Sequence, residues 1–185
     1  MKNLISTLFT ALFLISGITN LHSQDQKDKI KWYSFEEAVK KNIENPKPLF
    51  IDIYTEWCSW CKTMDNSTFA EAKTVKYMND NFYAVKFDAE YKDTITIHNT
   101  SFINTDPTNK RSSHQLAQAL LKGEMSYPSY VFMNEKLEWL TVVKGFIPTG
   151  KFEPILHFFG EKEYKNQSFE EFSKSLPGSA RRQEY

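Results

Sequence analysis

One stretch of the sequence decides the fold: Leu49-Phe50-Ile51-Asp52-Ile53-Tyr54-Thr55-Glu56-Trp57-Cys58-Ser59-Trp60-Cys61-Lys62. Its first part, Leu49 to Tyr54, is apolar except for Asp52, and a short apolar run of this kind predicts a buried strand. Cys58 and Cys61 follow after a short turn. If a helix begins at Cys58, both sulfur atoms lie on one face of its first turn. The stretch therefore predicts a strand, a turn and a helix that starts with a cysteine pair.

The position of this pair gives it a predicted chemistry. Unpaired backbone N–H groups and the positive end of the helix dipole stabilise a thiolate at a helix N-terminus. We expect the thiol pKa of Cys58 to fall from about 8.5 into the range of about 3.5–7.5. Cys61, one turn deeper, is placed to attack a mixed disulfide on Cys58. The pair predicts thiol–disulfide exchange that needs no other cofactor.

Two other uses of a cysteine pair fit the sequence less well. A zinc site needs four ligands, commonly as two separated pairs. The other soft ligands after the N-terminal apolar run are His98, His114 and His157, which are far apart in the sequence. Haem attachment needs a histidine directly after the second cysteine, where Lys62 stands. The sequence therefore predicts redox use of the pair and no metal site.

The pattern of strand, Trp-Cys-x-x-Cys-Lys and helix resembles the thioredoxin superfamily. The longer string from Glu56 to Asp65, followed by Thr68-Phe69, resembles its bacterial extracytoplasmic thioredoxin-like branch. The resemblance covers about Ile30 to Gly160. It implies an α/β, thioredoxin-like fold, with a central mixed sheet of about four strands flanked by helices. The dipeptide Ser59-Trp60 replaces the Gly-Pro of cytosolic thioredoxins, so their redox potential is not carried over.

Asp52 is the candidate for a catalytic acid. In thioredoxins a buried acid stands six residues before the first cysteine, and Asp52 occupies that place. Its apolar neighbours, Phe50, Ile51 and Ile53, also indicate burial, which raises the pKa of a carboxyl group. The resemblance implies that Asp52 relays the proton of Cys61. Lys86 is either its partner or a solvated strand lysine, and the latter is the commoner case.

Four further residues are candidates for substrate binding. An X-Pro bond is cis in only about 5–6% of cases, so the residues alone predict a trans bond before Pro128. The resemblance implies a cis bond, with the backbone of Tyr127 pairing with an extended substrate. Trp57 and Trp60 flank the nucleophile. We expect one of them to pack in the core, whereas an exposed one would offer flexible protein segments an apolar surface.

The composition is that of an ordinary globular protein. The chain has 185 residues, of which 41% are hydrophobic and 25% charged, and its formal net charge is zero. A chain of this length is expected to form a single domain. Zero net charge predicts no general attraction to nucleic acid or to anionic membranes. Because Cys58 and Cys61 are the two cysteines, a structural disulfide framework is excluded.

The N-terminus has the pattern of a secretory signal peptide. Lys2 is followed by an apolar run over 4–18, and cleavage after Ser23 is predicted. A retained membrane anchor is the alternative, but the run is shorter than the roughly 20 residues of a spanning helix. We therefore expect a periplasmic protein without stable membrane insertion. The oxidising environment outside the cytoplasm favours redox chemistry.

The rest of the chain is predicted to form one thioredoxin-like domain over 24–160, with an insertion at about 89–112 that contains a short hairpin. Residues 161–185 are predicted to form a C-terminal helix and a flexible tail. Capping boxes, in which Ser or Thr is followed three residues later by Glu, predict helix starts at Ser34, Thr68 and Ser168.

The sequence thus predicts a thiol–disulfide oxidoreductase that acts on exported proteins. Its expected partners are protein substrates with thiols or disulfides and a redox partner protein. Two alternatives stay open. One is a thioredoxin-like module that binds proteins without turnover, and the other is a structural or metal-binding cysteine pair.

Overall fold

The computed structural model describes residues 28–97 and 99–176. The predicted signal peptide (1–23) and the tail (177–185) lie outside the described residues. The strands are β1 (Trp32–Tyr33), β2 (Leu49–Tyr54), β3 (Tyr83–Asp88), β4 (Ile95–Ile97), β5 (Thr100–Phe102), β6 (Ser129–Met133) and β7 (Trp139–Lys144). The helices are α1 (Phe35–Glu44), α2 (Ser59–Asn66), α3 (Ala72–Asn81), α4 (Gln115–Leu120), α5 (Thr149–Gly160) and α6 (Phe169–Ser175). In these ranges no helix is both long and apolar enough to cross a membrane.

The central sheet is mixed, as predicted. Its strand order is β1-β3-β2-β6-β7, with β2 in the centre. Strand β2 runs parallel to β3 and antiparallel to β6. The sheet has five strands instead of four because Trp32 and Tyr33 pair with Ala84 and Val85 of β3. A strand of two residues is too short to show an alternating pattern in the sequence.

Each face of the sheet is covered by helices, and β2 supplies residues to both. Successive side chains of a strand point to opposite faces. Phe50 packs in a core shared with α2, α3, α5 and α6. Leu49, Ile51 and Ile53 pack in a second core with α1 and α4. Asp52 lies on the same face as Phe50, so its carboxyl group is directed towards α2.

The insertion between β3 and α4 is held in place by buried polar groups. It contains the predicted hairpin, formed by β4 and β5. The Asn104 side-chain amide donates to the carbonyls of Tyr91 and Ser112 at 3.0 and 2.7 Å. His114 caps α4, because its Nδ1 accepts the Leu116 N–H at 3.1 Å. These contacts fix the path of residues 104–112 against the domain.

Two of the three predicted capping boxes are confirmed. Ser34 and Ser168 each form one at the start of α1 and α6. The prediction for Thr68 is wrong. Thr68 is buried in a 3₁₀ turn (Thr68–Ala70), and its hydroxyl donates to the Ile147 carbonyl at 2.8 Å. Because the hydroxyl is used in that contact, it does not cap a helix, and α3 begins four residues later.

The C-terminal helix α6 packs onto the domain. Phe172 is buried, and its ring lies 5.5 Å from that of Phe158 in α5. Phe169, one turn earlier, is exposed. The Phe169 ring also lies 5.4 Å from that of Phe158, but Phe172 is the buried one of the two contacts.

We expect Phe172→Ala to lower the free energy of unfolding by about 3 kcal/mol, because it leaves a cavity against α5. Phe169→Ala is the matched control on the same helix and is expected to cost much less. Urea denaturation of both variants measures the difference. Equal losses would show that α6 is not anchored by Phe172.

Candidate active site

The two cysteines lie where the central strand passes into α2. After β2 the chain turns, and the Cys58 N–H donates to the Thr55 carbonyl at 3.1 Å. Cys58 is the N-cap residue of α2, so the predicted helix start is correct to within one residue. The sulfur atoms of Cys58 and Cys61 are bonded at 2.10 Å, with their Cα atoms 5.3 Å apart. The structure therefore represents the disulfide form of the pair.

A backbone amide of the first helical turn points at the first sulfur. The Cys61 N–H donates to Cys58 Sγ, with the nitrogen 3.0 Å from the sulfur. The orphan N–H groups of a helix start are the donors that stabilise a negative charge there. Both cysteines are nearly covered, with Cys58 5% exposed and Cys61 2% exposed. An attacking sulfur therefore has a narrow approach to Cys58.

Asp52 is buried on β2, the strand that leads to this pair, and its pKa is shifted. Its side chain is 1% exposed. Burial raises the pKa of the carboxyl group from 3.8 to about 6, although Lys86 opposes the rise. Lys86 Nζ lies 2.6 Å from Asp52 Oδ2. Lys86 is therefore the partner of Asp52 and not a solvated strand lysine.

Sheet register explains why the two charges meet. Asp52 and Lys86 are directly paired in the parallel ladder of β2 and β3. Lys86 also forms an ion pair with Asp65 of α2. Burial lowers the pKa of Lys86, but the two carboxylates outweigh this effect, and the net shift is upward. Lys86 remains a cation between its two partners.

Two buried oxygens near the ion pair have no hydrogen-bond partner among the described residues: Asp52 Oδ1 and the Tyr130 hydroxyl. Tyr130 is the cross-strand partner of Asp52 in β6. Burial, and then the charge of Asp52, raises the pKa of Tyr130 above its usual value. Asp52 thus keeps one oxygen free to accept a proton.

The loop before β6 reaches the same end of the sheet. The Tyr127–Pro128 peptide bond is cis, as the resemblance implies. Ser129 pairs with Ile53 near the end of β2, so Pro128 lies beside the strand end that leads to Cys58. The Pro128 carbonyl accepts the Gly145 N–H at 2.8 Å. Gly145 has a φ of +87°, a conformation that favours glycine.

Trp57 is exposed and held from three sides. Half of its surface is accessible (50%). Its indole N–H donates to Glu90 at 2.8 Å, and its ring meets that of Tyr127 edge-on at 5.8 Å. The Arg111 guanidinium lies 4.3 Å from the ring centroid. The insertion therefore supplies two of the three contacts.

Trp60 is also exposed, at 57%. Its ring lies 5.3 Å from that of Phe146, which is itself exposed. The expectation that one of the two tryptophans packs in the core is therefore wrong. In a helix that starts directly at the cysteine pair, the inward positions are taken by Cys61 and Met64.

Sequence reasoning did not identify several residues around the pair: Asp65, Glu90, Arg111, Tyr130 and Phe146. Tyr130 could have been found, because it lies two residues after Pro128 at the start of an apolar run, Tyr130 to Met133, that is typical of a strand. Arg111 and Glu90 carry no local signal, since their contact with Trp57 depends on the path of the insertion.

The described residues contain no group of three or more His, Cys, Asp or Glu side chains placed to hold a metal ion. His114 is occupied as a helix cap, and its Nε2 lies 3.0 Å from the Asp93 carbonyl. His98 is outside the described residues.

A protein-family model matches most of the chain. The model is Thioredox_DsbH, described as "Protein of unknown function, DUF255", and it matches residues 14–154. An uncharacterized protein of Caenorhabditis elegans, B0495.5, is 38% identical over 68 residues, which are 36% of this chain and 9% of that protein. Spermatogenesis-associated protein 20 of Rattus norvegicus is 29% identical over 82 residues, 44% of this chain and 10% of that protein. This chain covers about a tenth of the length of these relatives.

Solved structures share the fold. A structure titled "DsbH Oxidoreductase" aligns with a TM-score of 0.52 at 15% identity and covers 79% of this chain and 95% of its own. A putative disulphide-isomerase from Bacteroides thetaiotaomicron aligns with a TM-score of 0.54 at 22% identity, covering 77% and 99%. At these identities the alignments establish a thioredoxin fold.

The raised pKa of Asp52 predicts a pH-dependent effect on stability. The folded protein binds this proton more tightly than the unfolded chain, so the stabilisation is complete below about pH 4 and is lost as the pH rises through about 6. Asparagine has no charge to bury. We expect the stability of Asp52→Asn relative to wild type to rise between pH 4 and pH 8, by up to about 3 kcal/mol for two pKa units. Urea denaturation between pH 4 and pH 8 measures the difference.

Asp65→Asn is the matched control, because Asp65 also binds Lys86 but is exposed. Its stability difference from wild type is expected to vary less with pH. A stability difference between Asp52→Asn and wild type that stays constant from pH 4 to pH 8 would contradict the raised pKa.

Proposed function

Because the chain belongs to the DsbH-type thioredoxin-like family, DUF255, we propose that it is a thiol–disulfide oxidoreductase acting on exported proteins. The observation that carries the proposal is the Cys58–Cys61 bond at the start of α2, with a helix amide directed at Cys58 Sγ. The same amide that donates to the disulfide sulfur is in place to stabilise a Cys58 thiolate once the bond opens.

The proposed reaction has two exchange steps. In the first, the Cys58 thiolate attacks one sulfur of a substrate disulfide, forms a mixed disulfide and releases the other substrate sulfur as a thiolate. In the second, Cys61 loses its proton and attacks Cys58 Sγ, which releases the second substrate thiolate and closes the Cys58–Cys61 bond. The protein loses two electrons and the proton of Cys61, the substrate gains the two electrons, and its two thiolates take up protons from the solvent. The steps are reversible, so relative potentials set the direction.

Asp52 is proposed to accept the proton of Cys61. Its carboxyl pKa of about 6 lies near the operating pH, which suits a group that must both accept and return a proton. Its free Oδ1 is available for this transfer, whereas Oδ2 is held by Lys86. Lys86 keeps the carboxylate oriented and is a positioning residue in this scheme.

Tyr127, Pro128, Trp57 and Trp60 are proposed to bind the substrate. Neither the Tyr127 N–H nor its carbonyl has a hydrogen-bond partner among the described residues. A backbone with free donors and acceptors can pair with an extended segment as a strand does. Trp57 and Trp60 expose aromatic surface around Cys58 and would contact side chains of that segment.

The proposed location is the periplasm, after signal cleavage near Ser23. The proposal rests on the basic start and apolar run of the N-terminal sequence. In that location the substrates are exported proteins, and a separate redox protein must restore the working state of the cysteine pair. No further cofactor is needed for the exchange.

We expect Cys61→Ser to trap substrates as mixed disulfides on Cys58, because the step that releases them is blocked. Cys58→Ser is the matched control and is expected to trap none. Non-reducing electrophoresis of the purified variants, mixed with a protein that contains an exposed disulfide, detects the adduct. Reduction of the same protein by wild type is the accompanying activity measurement.

The alternatives give different results. A binding module without turnover keeps its affinity for partners in Cys58→Ser and reduces no disulfide. A structural or metal-binding pair gives no adduct with either variant. Adducts formed equally by Cys58→Ser and Cys61→Ser would contradict the assigned order of attack.

A further inference from the structure

We propose that Arg111 binds a carboxylate of the substrate, so that the protein prefers disulfides with Asp or Glu beside the cysteine. This inference rests on the proposed exchange activity and names the substrate class for it. Arg111 belongs to the insertion between β3 and α4, which has no role in the exchange steps proposed above.

Arg111 lies over Trp57, the residue that precedes the first cysteine. Its guanidinium carbon is 4.3 Å from the centroid of the Trp57 ring. Trp57 is bonded to Cys58, so a residue that precedes or follows a substrate cysteine on Cys58 lies within reach of Arg111. Both Arg111 and Trp57 are exposed.

The platform under Arg111 is fixed before a substrate arrives. Glu90 holds the Trp57 indole N–H, and Tyr127 packs against the ring edge. The backbone N–H of Arg111 donates to Asn109 Oδ1 at 2.9 Å. Asn104 secures the following residue, Ser112, through its carbonyl. A group that is held in position before binding loses less entropy when the ligand is bound.

Stacking leaves the hydrogen-bond donors of the guanidinium available. The interaction with Trp57 uses the flat face of the group, and its N–H bonds point outward in the plane. No carboxylate of the described residues forms an ion pair with Arg111. The fork geometry of these donors matches a carboxylate in a bidentate arrangement.

Acidic side chains line the same cleft, and their charge would favour a cationic substrate over an acidic one. The cleft, of about 770 Å³, is also lined by four acids, Glu56, Asp88, Glu90 and Asp93, and by the cations Lys92 and Lys110. Glu90 is engaged by Trp57, and Asp88 accepts the Glu90 N–H at 2.9 Å. Arg111 stacks on Trp57, and its guanidinium N–H groups form no ion pair among the described residues. If the acids dominate instead, the protein prefers a cationic substrate, and the sign of the preference separates the two cases.

The test uses three disulfide peptides that are identical except for one residue beside the cysteine, which is Asp, Ala or Lys. For reduced wild-type protein we expect kcat/KM to be about three- to fivefold higher for Asp than for Ala, the range of an exposed ion pair, and lowest for Lys. Raising the ionic strength from about 0.1 M to about 1 M shortens the Debye length from about 10 Å to about 3 Å. We therefore expect the ratio of kcat/KM for the Asp peptide to that for the Ala peptide to fall.

Arg111→Gln is expected to bring the ratio of Asp to Ala close to one. Lys110→Gln is the matched control, because it removes the same charge from the neighbouring residue in the cleft, and it should keep most of the preference. A preference for Lys, equal rates for the three peptides, or an unchanged ratio in Arg111→Gln overturns the inference.

The uncharged reagent 2-hydroxyethyl disulfide separates this inference from the proposed function. If wild type reduces the reagent but shows no preference among the peptides, only the role of Arg111 is wrong. If wild type reduces neither the reagent nor the peptides, the exchange activity itself is wrong, and the inference fails with it.

Discussion

The buried ion pair between Asp52 and Lys86 is the interaction on which the site depends. Taking two charges out of water is costly, and the cost is offset only when the charges are close and well paired. The register of β2 and β3 sets that closeness, because it places the two residues side by side. The aromatic rings of Trp32, Tyr54 and Phe69 surround Lys86 at 5.0–5.6 Å and exclude water from it. The sheet thus creates a carboxyl group whose protonation is poised near neutrality.

The same sheet brings separate loops to one place. The end of β2 leads into Cys58, and the antiparallel partner β6 starts with Ser129 opposite Ile53. The loop after β7 is tied to the proline loop by the Gly145 N–H and carries Phe146 to Trp60. Three segments that are distant in the sequence therefore meet around one disulfide because their strands are neighbours in the sheet.

Local features of the site could be predicted from the sequence, and non-local ones could not. The cysteine pair at a helix start follows from a short motif, and the capping boxes at Ser34 and Ser168 follow from side chains three residues apart. The pairing of Asp52 with Lys86 depends on the register of two strands separated by two helices, which no local pattern specifies. The contact of Arg111 with Trp57 depends on the path of a long insertion. At Thr68 a local pattern gave a wrong prediction. The spacing fits a capping box, but the Thr68 hydroxyl donates to the distant Ile147 carbonyl instead.

The covered disulfide has a consequence for the shape of molecules that can react with it. Cys58 is 5% exposed, whereas Trp57 before it and Trp60 in the first turn of α2 are 50% and 57% exposed. A nearly covered sulfur with two exposed tryptophans close to it in the sequence is hard for a rigid globular surface to reach. If the proposed exchange takes place, unfolded segments and loops that bend outwards can reach the sulfur, whereas disulfides buried inside a folded domain cannot.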